Sequence, residues 1–145
     1  MNLFPAVLTL LLSASSAAPA RTVTIGVADS MKFSVTSITA SPGETVTVVL
    51  KSTSTLPKIA MAHNFVLLAA GPDAAAFVKA GATDRATDFI PPAQKAKMIA
   101  ATPLAGPGEA VEVTFTVPTR KGTYVFACTF PGHYALGMKG TLTVR

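Results

Sequence analysis

Four side chains that can bind a soft metal ion follow a regular pattern in this sequence. Cys128, His133 and Met138 are each separated by four residues, and His63 is the other of the two histidines in the chain. Two imidazoles and a thiolate, with a weak and long axial thioether, are the ligand set of a blue-copper electron-transfer site. The pattern therefore predicts that these four residues hold one copper ion.

Three of the four candidate ligands belong to one predicted loop. A strand is expected to end at Cys128, Pro131 and Gly132 turn the chain, and a new strand begins after Met138. This arrangement brings a thiol, an imidazole and a thioether together, so the fourth ligand must come from elsewhere. His63 stands at the start of another predicted strand.

Each candidate ligand also has an ordinary structural alternative. Cys128 is the single cysteine and cannot form an internal disulfide, so it is a metal ligand, a buried inert thiol or an intermolecular link. Taken singly, a histidine such as His63 is more often a strand-edge residue, and a methionine such as Met138 more often packs in the core. The joint spacing favours the metal site.

The N-terminal segment predicts export. Residues 1–20 carry no charged side chain and contain a short apolar run, and Ala18 and Ala20 suit a signal-peptidase site. We therefore expect a signal peptide at residues 1–20 and one mature domain at residues 21–145, soluble and periplasmic or otherwise extracytoplasmic. A retained N-terminal membrane anchor is the alternative.

The charge pattern argues against nucleic acid as a partner. The chain has 12 basic and 7 acidic side chains, which gives a formal net charge of +5. The basic residues are scattered, and no aromatic platform accompanies them. This distribution indicates a solvated surface with a preference for acidic redox partners.

Short β-rich segments separated by turns predict a β-sandwich. From Val111 to Val117 the odd positions are apolar and the even ones polar, which is typical of a half-buried strand. Residues 69–102 break this pattern and predict a flap, with a short helix at residues 72–79 and nothing regular after Pro91 and Pro92. The predicted strands are residues 22–28, 33–38, 45–50, 64–68, 111–117, 123–126 and 141–144.

Residues 56–67 and 128–142, with residues 29–33 near the start, closely resemble azurin and the azurin-like auracyanins. The resemblance covers most of the predicted mature domain. It implies an all-β, eight-stranded Greek-key sandwich with a short helical flap, a type 1 copper, and single-electron transfer outside the cytoplasm. The expected partners are redox proteins such as c-type cytochromes or membrane electron-transfer complexes, and we expect a monomer.

The resemblance also implies roles for residues around the ligands. Asn64 would tie the two ligand-bearing segments together, and the N–H groups of Asn64 and Phe130 would donate hydrogen bonds to the Cys128 sulfur. Ala62 stands where azurin has a glycine whose carbonyl approaches the metal, so that contact stays open. The spacing from His133 to Met138 is that of auracyanin, one residue longer than in azurin, which implies a firmer axial methionine.

An apolar docking patch around His133, with no charged residue in it, is a further implication of the resemblance. Exposed apolar patches mark interaction sites, and a small contact suits brief encounters between redox proteins. The patch would consist of Met31, Leu56, Met61, Ala62, Pro131, Gly132, Ala135 and Leu136.

The number of candidate ligands argues against an enzyme. A copper oxidase or nitrite reductase needs further histidines for a second copper centre, and this chain has two histidines in all. The alternative function is a periplasmic copper carrier or chaperone with the same fold. A single enclosed thiolate favours electron transfer over copper delivery.

Overall fold

The computed structural model describes residues 19–145 and contains two β-sheets with a short helix. The signal peptide predicted at residues 1–20 lies almost entirely outside the described residues. Within them, eight strands and one α-helix confirm the predicted fold class. The elements are β1 Arg21–Val27, β2 Ser37–Ala40, β3 Thr45–Ser52, β4 Val66–Leu68, α1 Ala74–Ala80, β5 Met98–Ala101, β6 Ala110–Thr116, β7 Gly122–Ala127 and β8 Lys139–Val144.

The strands form one small and one larger sheet. The three-stranded sheet has the order β1-β3-β6, and the five-stranded sheet has the order β2-β8-β7-β4-β5. The β7–β8 pair is antiparallel, and its last partners are Ala127 and Lys139. Residues 128–138, which we call the site loop, therefore connect two paired strands at one end of the five-stranded sheet.

The hydrophobic core follows from alternation along the strands. In β3, Val46, Val48 and Leu50 are fully buried while their neighbours are partly exposed. The Phe126 ring of β7 lies across the core, with its centroid 5.0 Å from that of Phe65. A Cβ atom on Gly140 would lie 2.2 Å from this ring, so only glycine lets β8 approach β7 here.

The strand predicted at residues 33–38 is wrong over residues 33–36. The segment predicted at residues 33–38 forms a strand only from Ser37 onward. Met31 adopts a positive φ of 55°, and the Ser34 N–H donates to the Gly26 carbonyl at 2.9 Å, which turns the chain before β2. Phe33 is nevertheless 5% exposed, so its apolar character reflects core packing rather than strand pairing.

The flap predicted at residues 69–102 contains a strand that the sequence pattern did not indicate. The helix is confirmed as α1, and the Asp73 carboxylate caps it by accepting from the Ala75 N–H at 2.9 Å. Beyond it, Pro92–Lys97 forms a 3₁₀ helix and β5 pairs with β4. Four residues without alternation predict no strand by themselves, and it is pairing with β4 that makes them one.

In residues 19–145 no helix has the length and apolar character needed to cross a membrane.

Candidate metal centre

The site loop closes on itself through its own backbone. The Cys128 N–H donates to the Met138 carbonyl at 3.1 Å, and the Met138 N–H donates to the His133 carbonyl at 3.0 Å. Gly132 and Gly137 adopt positive φ values of 86° and 90°, which supply the turns between these points. Three of the four predicted ligands thus belong to one small, hydrogen-bonded ring of backbone.

His63 reaches the site loop from a separate segment. Its N–H and carbonyl form an isolated antiparallel bridge with Ala105, with N···O distances of 3.0 and 2.7 Å. The bridge holds His63 just before β4, which lies beside β7 in the sheet. The His63 and His133 rings are consequently close, with centroids 4.9 Å apart.

The donor atoms of His63, Cys128 and His133 converge on one point. One nitrogen from each imidazole and the thiol sulfur all lie within 4.8 Å of one another. His63 and Cys128 are fully buried, and His133 is 3% exposed. Met138 is also fully buried. The three converging atoms are positioned to bind a single metal ion.

The hydrogen bonding of His63 fits a metal ligand. Its Nε2 lies 3.1 Å from the Ser54 hydroxyl oxygen. Among the buried side-chain nitrogen and oxygen atoms of the described residues, Nδ1 of His63 is the one without a hydrogen-bond partner. An unsatisfied buried polar atom costs about 1–3 kcal/mol. A proton on Nε2, donated to Ser54, leaves the Nδ1 lone pair free for a cation.

Burial sets the protonation state of the three residues. It raises the pKa of the Cys128 thiol to about 11, although the N–H groups of Asn64 and Phe130 donate to the sulfur and lower the pKa in part. Burial lowers the pKa of His133 to about 4, and the neighbouring His63 adds to this effect. The pKa of His63 is lowered by burial too, against a smaller opposite effect of the Asp29 carboxylate.

Asn64 joins the segment that carries His63 to the site loop. Its Oδ1 accepts from the Thr129 N–H at 2.8 Å, and its Nδ2 donates to the Thr129 hydroxyl at 2.8 Å. The same Nδ2 donates to the Asp88 carbonyl at 3.1 Å, and the Thr129 hydroxyl donates to that carbonyl at 3.0 Å. This closed network lies in the interior, where satisfied polar groups rigidify their surroundings.

Several of these contacts had no sequence signal. Ser54 lies nine positions before His63, and Asp88 lies 24 positions after Asn64 and 41 before Thr129, and neither belongs to a ligand spacing. Thr129 could have been suspected from its place directly after Cys128. Ala62, which was left open as a weak metal contact, is fully buried beside His63 in the chain.

The predicted docking patch is only partly exposed. Leu56 and Leu136 are 45% and 54% exposed, whereas Met61 is 8% exposed and Ala62 is fully buried, so these two offer little contact area. Met31 is partly buried, and the remaining patch residues Pro131, Gly132 and Ala135 are exposed. Ile59, which the sequence analysis did not include, is 71% exposed.

A charged side chain lies against the patch, although none of the predicted patch residues is itself charged. The Lys32 ammonium group donates a hydrogen bond to the carbonyl of Leu136 in the site loop. Lys32 lies 104 positions from Leu136, so no local pattern could have revealed this contact.

Almost the whole of the described chain matches a known protein family. Residues 20–145 match the family described as copper binding proteins, plastocyanin/azurin family. This match, with the converging donor atoms of His63, Cys128 and His133, confirms the predicted copper cofactor.

Individual relatives agree with the family match. The chain is 41% identical over 128 residues to auracyanin-B of Chloroflexus aurantiacus. The matched region is 87% of this chain but only 53% of auracyanin-B, so this chain spans about half the length of that relative. It is 40% identical over 138 residues to azurin of Pseudomonas aeruginosa, which covers 93% of this chain and 92% of the azurin. Auracyanin A, a "blue" copper protein from Chloroflexus aurantiacus, has a solved structure that superposes on this one with a TM-score of 0.76 and is 38% identical in sequence. The superposition covers 88% of this chain and 100% of the auracyanin A chain.

Copper binding should release protons, and the directions of the three pKa shifts indicate how many. Near pH 7 both imidazoles are neutral and the Cys128 thiol is protonated, so loading Cu(II) should release about one proton per ion. Copper affinity should therefore rise about tenfold per pH unit near neutrality, because the thiolate becomes easier to form. The slope should steepen as the pH falls toward 4, where protonation of His133 also competes.

Isothermal titration calorimetry in buffers of different ionisation enthalpy measures the released protons. The Cys128→Ser variant is the matched control and should release none. Equal proton release by the two proteins would show that the thiol is not the titrating ligand.

Proposed function

Because the chain belongs to the plastocyanin/azurin family of copper-binding proteins, we propose that it is an exported electron carrier that cycles one copper ion between Cu(I) and Cu(II). The single observation that carries this proposal is the buried cluster of His63, Cys128 and His133, with Nδ1 of His63 left unpaired. Met138, fully buried at the end of the site loop, would add a weak thioether ligand.

Rigid placement of the ligands is what suits this site to electron transfer. Bound copper supplies one-electron chemistry, for which Cu(I) and Cu(II) prefer different ligands and shapes. The protein keeps its donor atoms in one arrangement, since the site loop is closed by backbone hydrogen bonds and Asn64 ties it to the His63 segment. Small rearrangement between the two oxidation states permits fast exchange.

Enclosure of the donor atoms favours an electron carrier over a copper chaperone or an enzyme. Delivery of copper requires ligands that a partner can reach, whereas Cys128 is fully buried and His133 is 3% exposed. Electrons can pass through a buried imidazole edge, while an ion cannot leave without opening the site. A substrate would likewise have to reach donor atoms that are buried from solvent.

The predicted signal peptide and the exposed residues beside His133 support a cellular setting for this function. We propose that residues 1–20 are cleaved and that residues 21–145 act as a monomer outside the cytoplasm. The partners are redox proteins, such as c-type cytochromes or membrane electron-transfer complexes. They would meet the exposed apolar residues beside His133, of which Leu56 and Leu136 are the largest in the predicted patch.

The absorption spectrum of the copper-loaded protein tests whether the Cys128 thiolate binds the metal. Copper-loaded protein should show an intense blue sulfur-to-copper charge-transfer band that ascorbate bleaches. Cys128→Ser should abolish the band while the circular dichroism of the sandwich is retained, because a hydroxyl replaces the only thiol. A blue Cys128→Ser protein would rule out this ligand, and a wild-type protein that binds copper without the band would favour the copper carrier.

The axial ligand is tested by the reduction potential. Met138→Leu should keep the copper and the colour but raise the potential measured by voltammetry, since a donor that stabilises Cu(II) is removed. Met98→Leu makes the same change in β5, which carries no proposed ligand, and should leave the potential unaltered. Equal potentials for the two variants would mean that Met138 is not a ligand.

The docking patch is tested by electron self-exchange. Leu136→Lys places a hydrated charge in the contact, beside Lys32 with which it cannot pair, and desolvating an unpaired charge on docking is unfavourable. Self-exchange, measured by NMR line broadening in mixtures of the two oxidation states, should slow at least tenfold, roughly the effect of 1.4 kcal/mol. Leu136→Met keeps an apolar surface and should exchange at the wild-type rate. If Leu136→Lys also did so, electrons would enter by another face.

A further inference from the structure

An apolar groove beside the site loop has no role in holding the metal. It encloses about 280 Å³ between α1 and residues 131–135 of the site loop. That volume is just below the range of roughly 300–1,000 Å³ typical of small-molecule sites. It therefore suits a single inserted side chain better than a free ligand. The apolar lining is Ala75, Val78 and Ala82 on the helix side and Pro131, Tyr134 and Ala135 on the loop side.

Three exposed lysines surround the groove and the adjoining loop. Lys79 lines the groove itself, and the Lys139 ammonium nitrogen lies 4.7 Å from the centroid of the Tyr134 ring. Lys32 binds the carbonyl of Leu136 on the other side of the loop. Among residues 19–145 the ion pairs are formed by Arg21 and Lys58, so these three lysines carry charges that no carboxylate of the described residues neutralises.

The groove is continuous with the proposed electron-entry surface. Pro131 and Ala135 belong both to its lining and to the apolar patch, and Tyr134 directly follows His133 in the chain. A protein seated there would lie against the loop that carries three of the four proposed ligands. The groove is therefore placed where a docked partner could exchange electrons.

We propose that the groove and its three lysines are the docking site for an acidic electron-transfer protein, which inserts one apolar side chain between α1 and the site loop. The inference rests on the proposed function and adds the charge of the partner and the place where it binds. Carboxylates around the inserted side chain would pair with Lys32, Lys79 and Lys139. Attraction between opposite charges raises association rates and guides orientation more than it raises affinity.

Charge argues against a second copy of this chain in the same place. Any copy that presented the same face would bring the same three lysines toward them, and like charges at an interface are unfavourable. The formal net charge of +5 acts in the same direction over longer distances. A partner of opposite charge has neither disadvantage.

Stopped-flow kinetics with an acidic c-type cytochrome as the probe tests the proposal. Mixing the oxidised, copper-loaded protein with the ferrous cytochrome transfers one electron from haem iron to Cu(II), leaving ferric haem and Cu(I). The rate at low salt should fall about tenfold in Lys79→Gln/Lys139→Gln and should lose most of its salt dependence. Lys121→Gln removes one charge just before β7, at the end of that strand opposite the site loop, and is the control for a loss of positive charge outside the docking site.

The groove is tested separately from the charges. Ala75→Phe fills it and should slow the reaction several-fold, whereas Ala76→Phe adds the same ring to an exposed position of α1 that does not line it. The proposal would be overturned if Ala75→Phe reacted as fast as Ala76→Phe. It would also be overturned if Lys79→Gln/Lys139→Gln reacted as fast as Lys121→Gln. A change in the sedimentation of Ala75→Phe alone would overturn it too, because it would show that a second copy occupies the groove.

The blue band separates failure of this inference from failure of the proposed function. Variants that keep an ascorbate-bleached blue band but react at unaltered rates would refute the docking site and leave the electron carrier in place. A wild-type protein without that band would refute the electron carrier itself.

Discussion

The candidate metal centre depends on removing three ionisable side chains from water together. Burial favours the neutral form of each, so it raises the pKa of Cys128 to about 11 and lowers that of His133 to about 4. Folding therefore buries no charge at this point, which would be costly. The neutral imidazoles keep lone pairs that can bind a cation, and the thiol loses its proton to solvent when a cation binds the sulfur. One physical constraint thus lets the chain fold without burying a charge here and favours a metal that binds nitrogen and sulfur.

The protein holds these neutral groups in place with hydrogen bonds between segments that are distant in sequence. Asn64 and Thr129 bond to each other twice, and both bond to the Asp88 carbonyl in the segment that follows α1. The helical flap is therefore part of the support for the site, although none of its side chains is a proposed ligand. The same flap forms one wall of the apolar groove, so metal support and partner contact share a structural element.

Local spacing explains why most of the centre could be predicted from the sequence. Cys128, His133 and Met138 lie on one loop, and His63 is the one remaining histidine, so the candidate ligands required no knowledge of distant contacts. Contacts between distant segments could not be predicted in this way. Lys32 beside Leu136 and the pairing of β5 with β4 depend on the packed sheets rather than on any periodic pattern.

The closure of the site loop has a consequence for how such a protein can change over evolutionary time. The register of β7 and β8 ends at Ala127 and Lys139, and the loop beyond it is completed by hydrogen bonds among its own residues. An insertion or deletion within the loop therefore alters the spacing of ligands without shifting the strands beneath it. The paired strands can therefore stay the same while the length of the loop changes, so the redox properties of the centre can change with little effect on the stability of the sandwich.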